Sequence, residues 1–178
     1  IAMGQSYFYQ PSHTLSSEAS GTVLVSAMTG GSQLFGVFVE MPLFFTWFVE
    51  GRLIYRFVSQ TGMAKPQVGT GITATETPIR IQQEFTGVAL GFKRYFWQLF
   101  WMNFGMEVDR GTHISLDYGS SPVPTGATTM PVFVIAQAGM GYDFQLNFLR
   151  MSPELKFGSA LNTEPISFLL DLNFYFGF

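Results

Sequence analysis

The chain has 178 residues, of which 47% are hydrophobic and 17% aromatic, and its formal net charge is −3. This charge gives no electrostatic reason to expect a nucleic-acid partner, and the length predicts one domain. The chain contains no Cys, which excludes disulfides, Cys nucleophiles and thiolate metal sites. Charged residues also interrupt the apolar runs before a spanning helix could form, as where Trp47-Phe48 leads into Glu50 and Arg52.

The first half of the chain predicts a tail and five strands. Residues 1–20 are polar, rich in Ser and without a sustained period, so we expect an N-terminal tail there and a folded domain at 21–178. Stretches with a period of two then predict strands at about Gly21–Met28, Gln33–Met41, Phe44–Gln60, Pro78–Lys93 and Gln98–Asp109. The polar stretches Thr61–Thr77 and Arg110–Thr128 predict two long loops.

The strand at Pro78–Lys93 changes its polar face part-way along. Arg80, Gln82 and Glu84 share one face, but the small and polar residues from Gly87 to Lys93 fall on the other. One extra residue near Phe85-Thr86 would produce this change, so we predict a β-bulge there.

Three further strands, at about Thr129–Phe144, Leu149–Ala160 and Ile166–Phe178, bring the count to eight. The last has one face of large apolar side chains only: Ile166, Phe168, Leu170, Leu172, Phe174, Phe176 and Phe178. A bilayer supplies the apolar neighbour that such a face needs, and the segment is about as long as a tilted membrane-crossing strand. The sequence therefore predicts an all-β fold, an eight-stranded antiparallel transmembrane up-and-down β-barrel of the bacterial outer membrane, with Phe174, Phe176 and Phe178 as its closing C-terminal signature.

An even number of strands predicts that both chain ends lie on the periplasmic side and the two long loops outside the cell. A protein with this location is exported with a signal peptide, so we expect Ile1 to lie at or after the cleavage point.

The opposite strand faces predict the contents of the barrel. An eight-stranded barrel has an interior just wide enough to be filled by side chains. We expect the lumen to hold Lys93, Asp143 and a charge network formed by Glu40, Glu50, Arg52, Arg56, Arg80, Glu84, Glu107, Arg150, Glu154, Lys156 and Asp171. The two signs nearly cancel, and each unpaired buried charge would cost several kcal/mol. A salt-bridged plug is therefore expected; a proton or ion path, the alternative, would favour one sign of charge.

One motif raises the question of catalysis. His113-Ile-Ser115 is similar to the His-x-Ser pair of lipid A deacylases, and Asp117 could supply the acid. Three alternate residues on one strand run too far along it to converge, and Leu116 replaces the Asn that usually follows the Ser. We expect no catalytic, cofactor-binding or metal-binding residues: His13 is expected to be solvated, and two separated His make no metal pattern.

Two stretches resemble the PorT-like outer-membrane barrels. One is Leu34–Leu43 leading to Glu50–Tyr55; the other is Gly141–Gly158, which contains Ser152-Pro-Glu-Leu-Lys156, followed by Ala160-Leu-Asn162. The likeness covers about Gln33 to Phe178 and departs at Gln83-Glu84-Phe85, where the family has Glu-Ile-Pro.

The family is typical of Bacteroidota-type envelopes, and its best-known members belong to type IX secretion and gliding. The resemblance implies a non-enzymatic accessory or scaffolding subunit of an outer-membrane complex, whose partners are outer-membrane lipid and other envelope proteins. The alternatives are a lipid A-modifying enzyme and a small envelope-stabilising barrel.

Overall fold

The computed structural model describes residues 1–10, 13–17, 21–66, 76–118, 121–122, 132–146, 149–163 and 168–177. The elements in these ranges are all strands: β1 (Ala2–Gln10), β2 (His13–Ser17), β3 (Gly21–Val25), β4 (Met28–Phe44), β5 (Trp47–Pro66), β6 (Thr77–Tyr95), β7 (Phe100–Tyr118), β8 (Ser121–Pro122), β9 (Val132–Tyr142), β10 (Phe144–Leu146), β11 (Leu149–Ala160) and β12 (Phe168–Gly177). In these ranges we find no helix long and apolar enough to cross a membrane.

Eight of the strands close into a ring. The order is β5-β4-β1-β12-β11-β9-β7-β6, and β6 pairs again with β5. Every pairing in the ring is antiparallel. The four other strands add to this ring: the β2–β3 hairpin pairs with β5, β8 with β7, and β10 with β11. The predicted fold, an eight-stranded antiparallel barrel, is confirmed.

The prediction of a polar tail at residues 1–20 is wrong. Ala2–Gln10 is a strand of the ring, paired on one side with β12 and on the other with β4. Its inward residues are small or polar, among them Ala2, Gly4 and Ser6, while its outward residues include Gln5. The other outward residues of β1 are apolar or aromatic, so Gln5 is the interruption that weakens the alternation by which the other strands are recognised.

The strand predicted at Gly21–Met28 is also wrong in its position. Gly21–Val25 is a strand, but it lies outside the ring and pairs with β2 and β5. Met28 instead begins β4, which extends the strand predicted at Gln33–Met41 in both directions. The other six predicted strands correspond to strands of the ring, although Ile166 and Phe178 lie outside the described residues.

The outer wall of the ring is apolar over the middle of most strands. Outward side chains alternate with buried inward ones, and the exposed residues include Phe35, Val37, Val39, Met41, Leu53, Val88, Leu90, Phe92, Met102, Phe104, Met106, Leu155, Phe157, Leu170, Leu172 and Phe174. Such a wall, on a closed ring with no free strand edge, is the arrangement in which strands can span a bilayer.

Three strands are much longer than a crossing requires. β5, β6 and β7 have 20, 19 and 19 residues, whereas about 9–11 tilted residues span the hydrocarbon core. Their extra length lies at the end opposite to the short connections, such as Phe45-Thr46 between β4 and β5. The loops predicted at Thr61–Thr77 and Arg110–Thr128 are therefore wrong at their starts: β5 continues to Pro66 and β7 to Tyr118, and the extended strands form a projecting sheet.

The polarity of β6 inverts where the strand enters the projecting sheet. Ile79 and Phe85 are buried while Arg80 is exposed, and Ala89 and Lys93 further along are also buried. The inward positions therefore keep one alternation throughout β6. In the projecting part, polar residues such as Arg80 lie on the outer face because water surrounds it. Apolar residues such as Ile79 and Phe85 lie on the inner face.

A bulge is present, but its extra residue is on the neighbouring strand. The register between β6 and β7 shifts between Glu84 and Phe85: Glu84 lies opposite His113, and Phe85 opposite Gly111. Thr112 is left between them, and its hydroxyl donates a hydrogen bond of 3.2 Å to the backbone carbonyl of Glu84. The extra residue therefore belongs to β7, and the prediction that it lies at Phe85-Thr86 in β6 is wrong.

The apolar wall generates a prediction that compares two outward positions of β6. Leu90→Arg should lower the free energy of unfolding by about 2–4 kcal/mol, because it places a charge in the apolar band. Gln82→Arg, in the projecting part, should cost only about 0–1 kcal/mol. Denaturant unfolding in phospholipid vesicles measures both; equal costs would contradict this placement of the band.

Candidate functional site

The centre of the lumen is organised around the carboxylate of Glu154. Arg52 donates to both of its oxygens, with distances of 3.0 and 3.1 Å from its two Nη atoms. Asn103 Nδ2 donates at 2.5 Å and Asn173 Nδ2 at 3.1 Å, and the hydroxyl of Tyr175 also donates to it. These donors come from β5, β7 and β12, so Glu154 on β11 joins strands from around the ring.

Two more charges belong to the same layer. Lys156 Nζ lies 3.4 Å from Glu154 Oε2, and Glu50 accepts a hydrogen bond from Arg52 Nε. The guanidinium of Arg52 also lies over the ring of Tyr175, 4.7 Å from its centroid. Charge-assisted hydrogen bonds and cation–π contacts of this kind compensate for the loss of hydration in a closed interior.

A second layer surrounds Arg56, four residues further along β5. Its Nη1 lies 2.6 Å from Asp109 Oδ2, and its Nη2 lies 2.8 Å from Glu107 Oε1 and 3.6 Å from Asp171 Oδ2. Arg56 is 2% exposed and the three carboxylates 1% each. One guanidinium thus holds together three carboxylates from two other strands.

A third layer lies at the end of the barrel with the short connections. Glu40 accepts from Lys93 Nζ at 2.6 Å and from Arg150 Nη1 at 3.0 Å. Asp143 accepts from Tyr95, Trp101 and Ser152, and lies 2.6 Å from Arg150 Nη2. This layer is more open than the other two, because the side chain of Arg150 is 38% exposed.

An apolar cluster closes the lumen on the side of the projecting sheet. It consists of the buried residues Val58, Phe85, Ile135, Ala160 and Leu169, with Phe133 packed against it. Val58 lies two residues beyond Arg56 on β5, so the cluster follows directly on the second charged layer. The lumen is therefore filled by ion pairs over most of its length and sealed by hydrocarbon at one end.

Nine of the eleven residues predicted for the lumen network lie in it, and two do not. Arg80 is exposed and donates to the hydroxyl of Ser59 at 3.3 Å. Glu84 lies on the same outward face, opposite His113 and Phe57. Their inward placement was predicted from a bulge in β6. Because β6 keeps one alternation along its whole length, both side chains face outward instead.

The charge of Asp109 was missing from the predicted network. Its parity with Glu107 on strand β7 indicates that it points inward, and it is 1% exposed. Lys93 and Asp143 also face the lumen, as predicted. Among the side chains that the structure describes, the lumen holds five cations (Arg52, Arg56, Lys93, Arg150, Lys156) and seven carboxylates (Glu40, Glu50, Glu107, Asp109, Asp143, Glu154, Asp171).

The residues of the possible catalytic motif lie on the outward side of β7. His113 pairs with Glu84, Ser115 with Gln82 and Asp117 with Arg80. His113 and Asp117, the first and last of the three, lie roughly 13 Å apart along the strand, so the carboxylate is too far away to orient the imidazole. In the described ranges no group of three or more His, Asp or Glu side chains could hold a metal ion. The side chain of His13 lies outside the described residues.

Solved structures similar in fold were found, although the likeness is low. Two of them are the attachment invasion locus protein Ail of Yersinia pestis, at 9% identity with a TM-score of 0.40, and the same protein in complex with the heparin analogue sucrose octasulfate, at 11% identity with a TM-score of 0.38. Each alignment covers 98% of this chain and 97% of the other. No family model and no curated protein matches the chain, so the resemblance to PorT-like barrels stays a prediction.

The hub at Glu154 generates a prediction with an outward carboxylate as its control. Glu154→Ala should lower the free energy of unfolding by about 3–5 kcal/mol, because it takes from Lys156 its paired carboxylate and leaves Arg52 with Glu50 alone. Glu84→Ala, on the outward face, should cost no more than about 1 kcal/mol. Urea unfolding of the two variants in the same vesicles checks this, and similar losses would show that Glu84 also faces the lumen.

Proposed function

We propose that the chain is an integral outer-membrane barrel that acts by contact, as an accessory or scaffolding subunit of an outer-membrane complex, and neither conducts solutes nor catalyses a reaction. The filled lumen carries this proposal. Paired charges occupy three layers of it, and the cluster around Phe85 closes one end. A barrel without an open interior offers partners its outer wall and its two ends.

The outer membrane is proposed as the location because the wall faces hydrocarbon while the charges face inward. Spanning barrels with these properties are a feature of outer membranes, where short turns lie on the periplasmic side and longer segments outside. The connections Phe45-Thr46 and Phe96–Leu99 are short. In this orientation the projecting sheet lies on the outside of the cell.

The projecting sheet supports a role in contact. Its outward face carries the cross-strand pairs Arg80–Asp117, Gln82–Ser115 and Glu84–His113. These side chains lie beyond the apolar wall and are not needed to cross the bilayer. A regular sheet with mixed charges and hydrogen-bonding groups is a rigid surface on which a partner can be positioned.

The stretch that resembles PorT-like barrels has a physical role in the lumen. In Ser152-Pro-Glu-Leu-Lys156, Ser152 donates to Asp143, and both Glu154 and Lys156 belong to the central layer. The same stretch presents Leu155 to the outer wall. The proposed context, secretion or envelope assembly of the type IX kind, rests on this resemblance.

Conductance tests the closed lumen. In planar bilayers the purified barrel should give no porin-like open conductance, because ion pairs and the apolar cluster fill the path. Shortening Phe85 and Leu169 to Ala together should open only the apolar end and leave conductance low, since the charged layers remain. Stable open-channel currents from the unaltered protein would contradict the proposal.

Contact and catalysis are separated by two variants in the natural host. Deleting Gly62–Ile79 and joining Thr61 to Arg80 through a Gly-Asn turn removes the outer ends of β5 and β6 from the projecting sheet, and the residues joined already lie opposite each other. After gentle detergent extraction, native mass spectrometry should show stoichiometric partners with the unaltered protein and their loss with this deletion.

The second variant is the double replacement His113→Ala with Ser115→Ala. It should leave the lipid chemistry of the membrane unchanged, because neither residue is given a chemical role. Partner binding is not compared for this variant, since both residues lie on the proposed contact surface. If it abolished an acyl-hydrolysis activity on outer-membrane lipid, the enzyme alternative would hold instead.

A further inference from the structure

Two glutamines interrupt the apolar outer wall. Gln5 on β1 lies directly opposite Gln33 on β4, and both are exposed. The next outward pair towards the short connections, Met3 with Phe35, is apolar, and Leu172 of β12 lies opposite Gln5 on its other side. Within the described residues neither amide has a hydrogen-bond partner, and an amide facing hydrocarbon without a partner is unfavourable.

The glutamine pair separates two hollows in the wall. The hollow towards the short connections has a volume of about 470 Å³ and is lined by Met3, Phe35, Leu172 and Phe174 beside the two amides. The hollow towards the projecting sheet has a volume of about 360 Å³ and is lined by the outward residues Gly31, Phe57 and Ser59, with the buried Ser6 and Ser32 beneath them. The wall therefore presents a track with an apolar part, an amide pair and a more polar part, in that order.

Gly31 keeps the polar hollow open. It is the next outward residue of β4 after Gln33, and a Cβ built on it would meet its nearest atom only at 4.0 Å. The space above this residue is thus left empty by the absence of a side chain. A larger residue would fill it without clashing with the barrel.

We propose that this track binds one acyl-linked lipid of the membrane leaflet on the side of the projecting sheet. The chain lies along Met3, Phe35 and Leu172, and the amide NH₂ groups of Gln5 and Gln33 donate to the carbonyl oxygens of its ester or amide linkage. The head group lies over Gly31. Since no charged side chain among the described residues lines either hollow, the site recognises the acyl linkage rather than a phosphate.

The chemistry of the wall favours a lipid over a second copy of the chain. An acyl chain supplies hydrocarbon for the hollow lined by Met3, Phe35 and Leu172, and its linkage supplies the acceptors that the two amides need. Both hollows are open towards the bilayer, so a flexible chain enters them directly. The inference rests on the membrane location proposed above and is independent of any role as a subunit.

Paired lipids with and without acyl carbonyls test the site. The purified barrel in detergent is mixed with dimyristoyl phosphatidylethanolamine or with its dialkyl ether analogue, and retained lipid is counted by native mass spectrometry. One diacyl lipid should be retained per barrel, about ten-fold more strongly than the ether lipid because two hydrogen bonds are lost with the latter. The double variant Gln5→Leu with Gln33→Leu should remove the difference.

Two glycine variants provide a matched control. Gly31→Val should weaken retention of both lipids, because it fills the hollow that takes the head group. Gly51→Val, on the outer wall of β5 where an added Cβ also meets nothing within 4 Å, should leave retention unchanged. Unchanged unfolding in vesicles shows for each variant that the barrel still inserts.

Three results would overturn the inference: no retained lipid, equal retention of the two lipids by the unaltered protein, or a dimer of the unaltered protein that the double Leu variant dissociates. The last result would assign the glutamines to a contact between two copies. Failure of the unaltered barrel to insert into vesicles would instead contradict the membrane location itself.

Discussion

The pairing of charges inside a wall that faces hydrocarbon is the constraint on which the rest of the structure depends. A charge directed outward at the level of the bilayer would be costly, so the charged residues of the crossing strands share one face and meet in the lumen. Glu154 shows the result most clearly, because donors from three other strands converge on it. The ring, the alternation of each strand and the closed interior all follow from this requirement.

Neutral donors add to the ion pairs of the lumen. Among the described side chains seven carboxylates face five cations, so some carboxylates share one cation, as Glu107, Asp109 and Asp171 share Arg56. Asp143 accepts from Tyr95, Trp101 and Ser152, and Glu154 from Asn103, Asn173 and Tyr175. Phenol, indole, hydroxyl and amide groups thus hydrogen-bond carboxylates that also have a cation, because each carboxylate can accept several hydrogen bonds. Polar uncharged residues therefore also lie on the inward face.

The sequence predicted the fold and most of the lumen network. The predicted directions of side chains were wrong where a strand passes from the bilayer into water, because the two environments place apolar residues on opposite faces. From β4 onward an apolar outward face and a polar inward face distinguish each strand, so the alternation alone was enough to place Arg52, Arg56 and Lys156 in the lumen. Beyond the bilayer the rule inverts: water surrounds the outer side and apolar residues fill the inner side. Arg80 and Glu84 lie beyond that boundary. From the sequence of one strand, an inverted environment looks the same as a shift of the alternation by one residue.

β1 was missed for a different reason: its inward residues include small ones, and its outward face carries Gln5 in place of a large apolar residue.

The position of β1 between β4 and β12 has a consequence for how the barrel assembles. Its pairing with β4 joins nearby parts of the chain, as in Gln10 with Met28, whereas its pairing with β12 joins opposite ends, as in Ala2 with Tyr175. Contacts between distant segments form slowly because a long loop must close first. Until that seam forms, the molecule is an open sheet with two unpaired edges that can join to other chains. Pairing of β1 with β12 is therefore the step that removes these free edges. Its rate sets how long the newly made barrel must be kept from pairing with other chains.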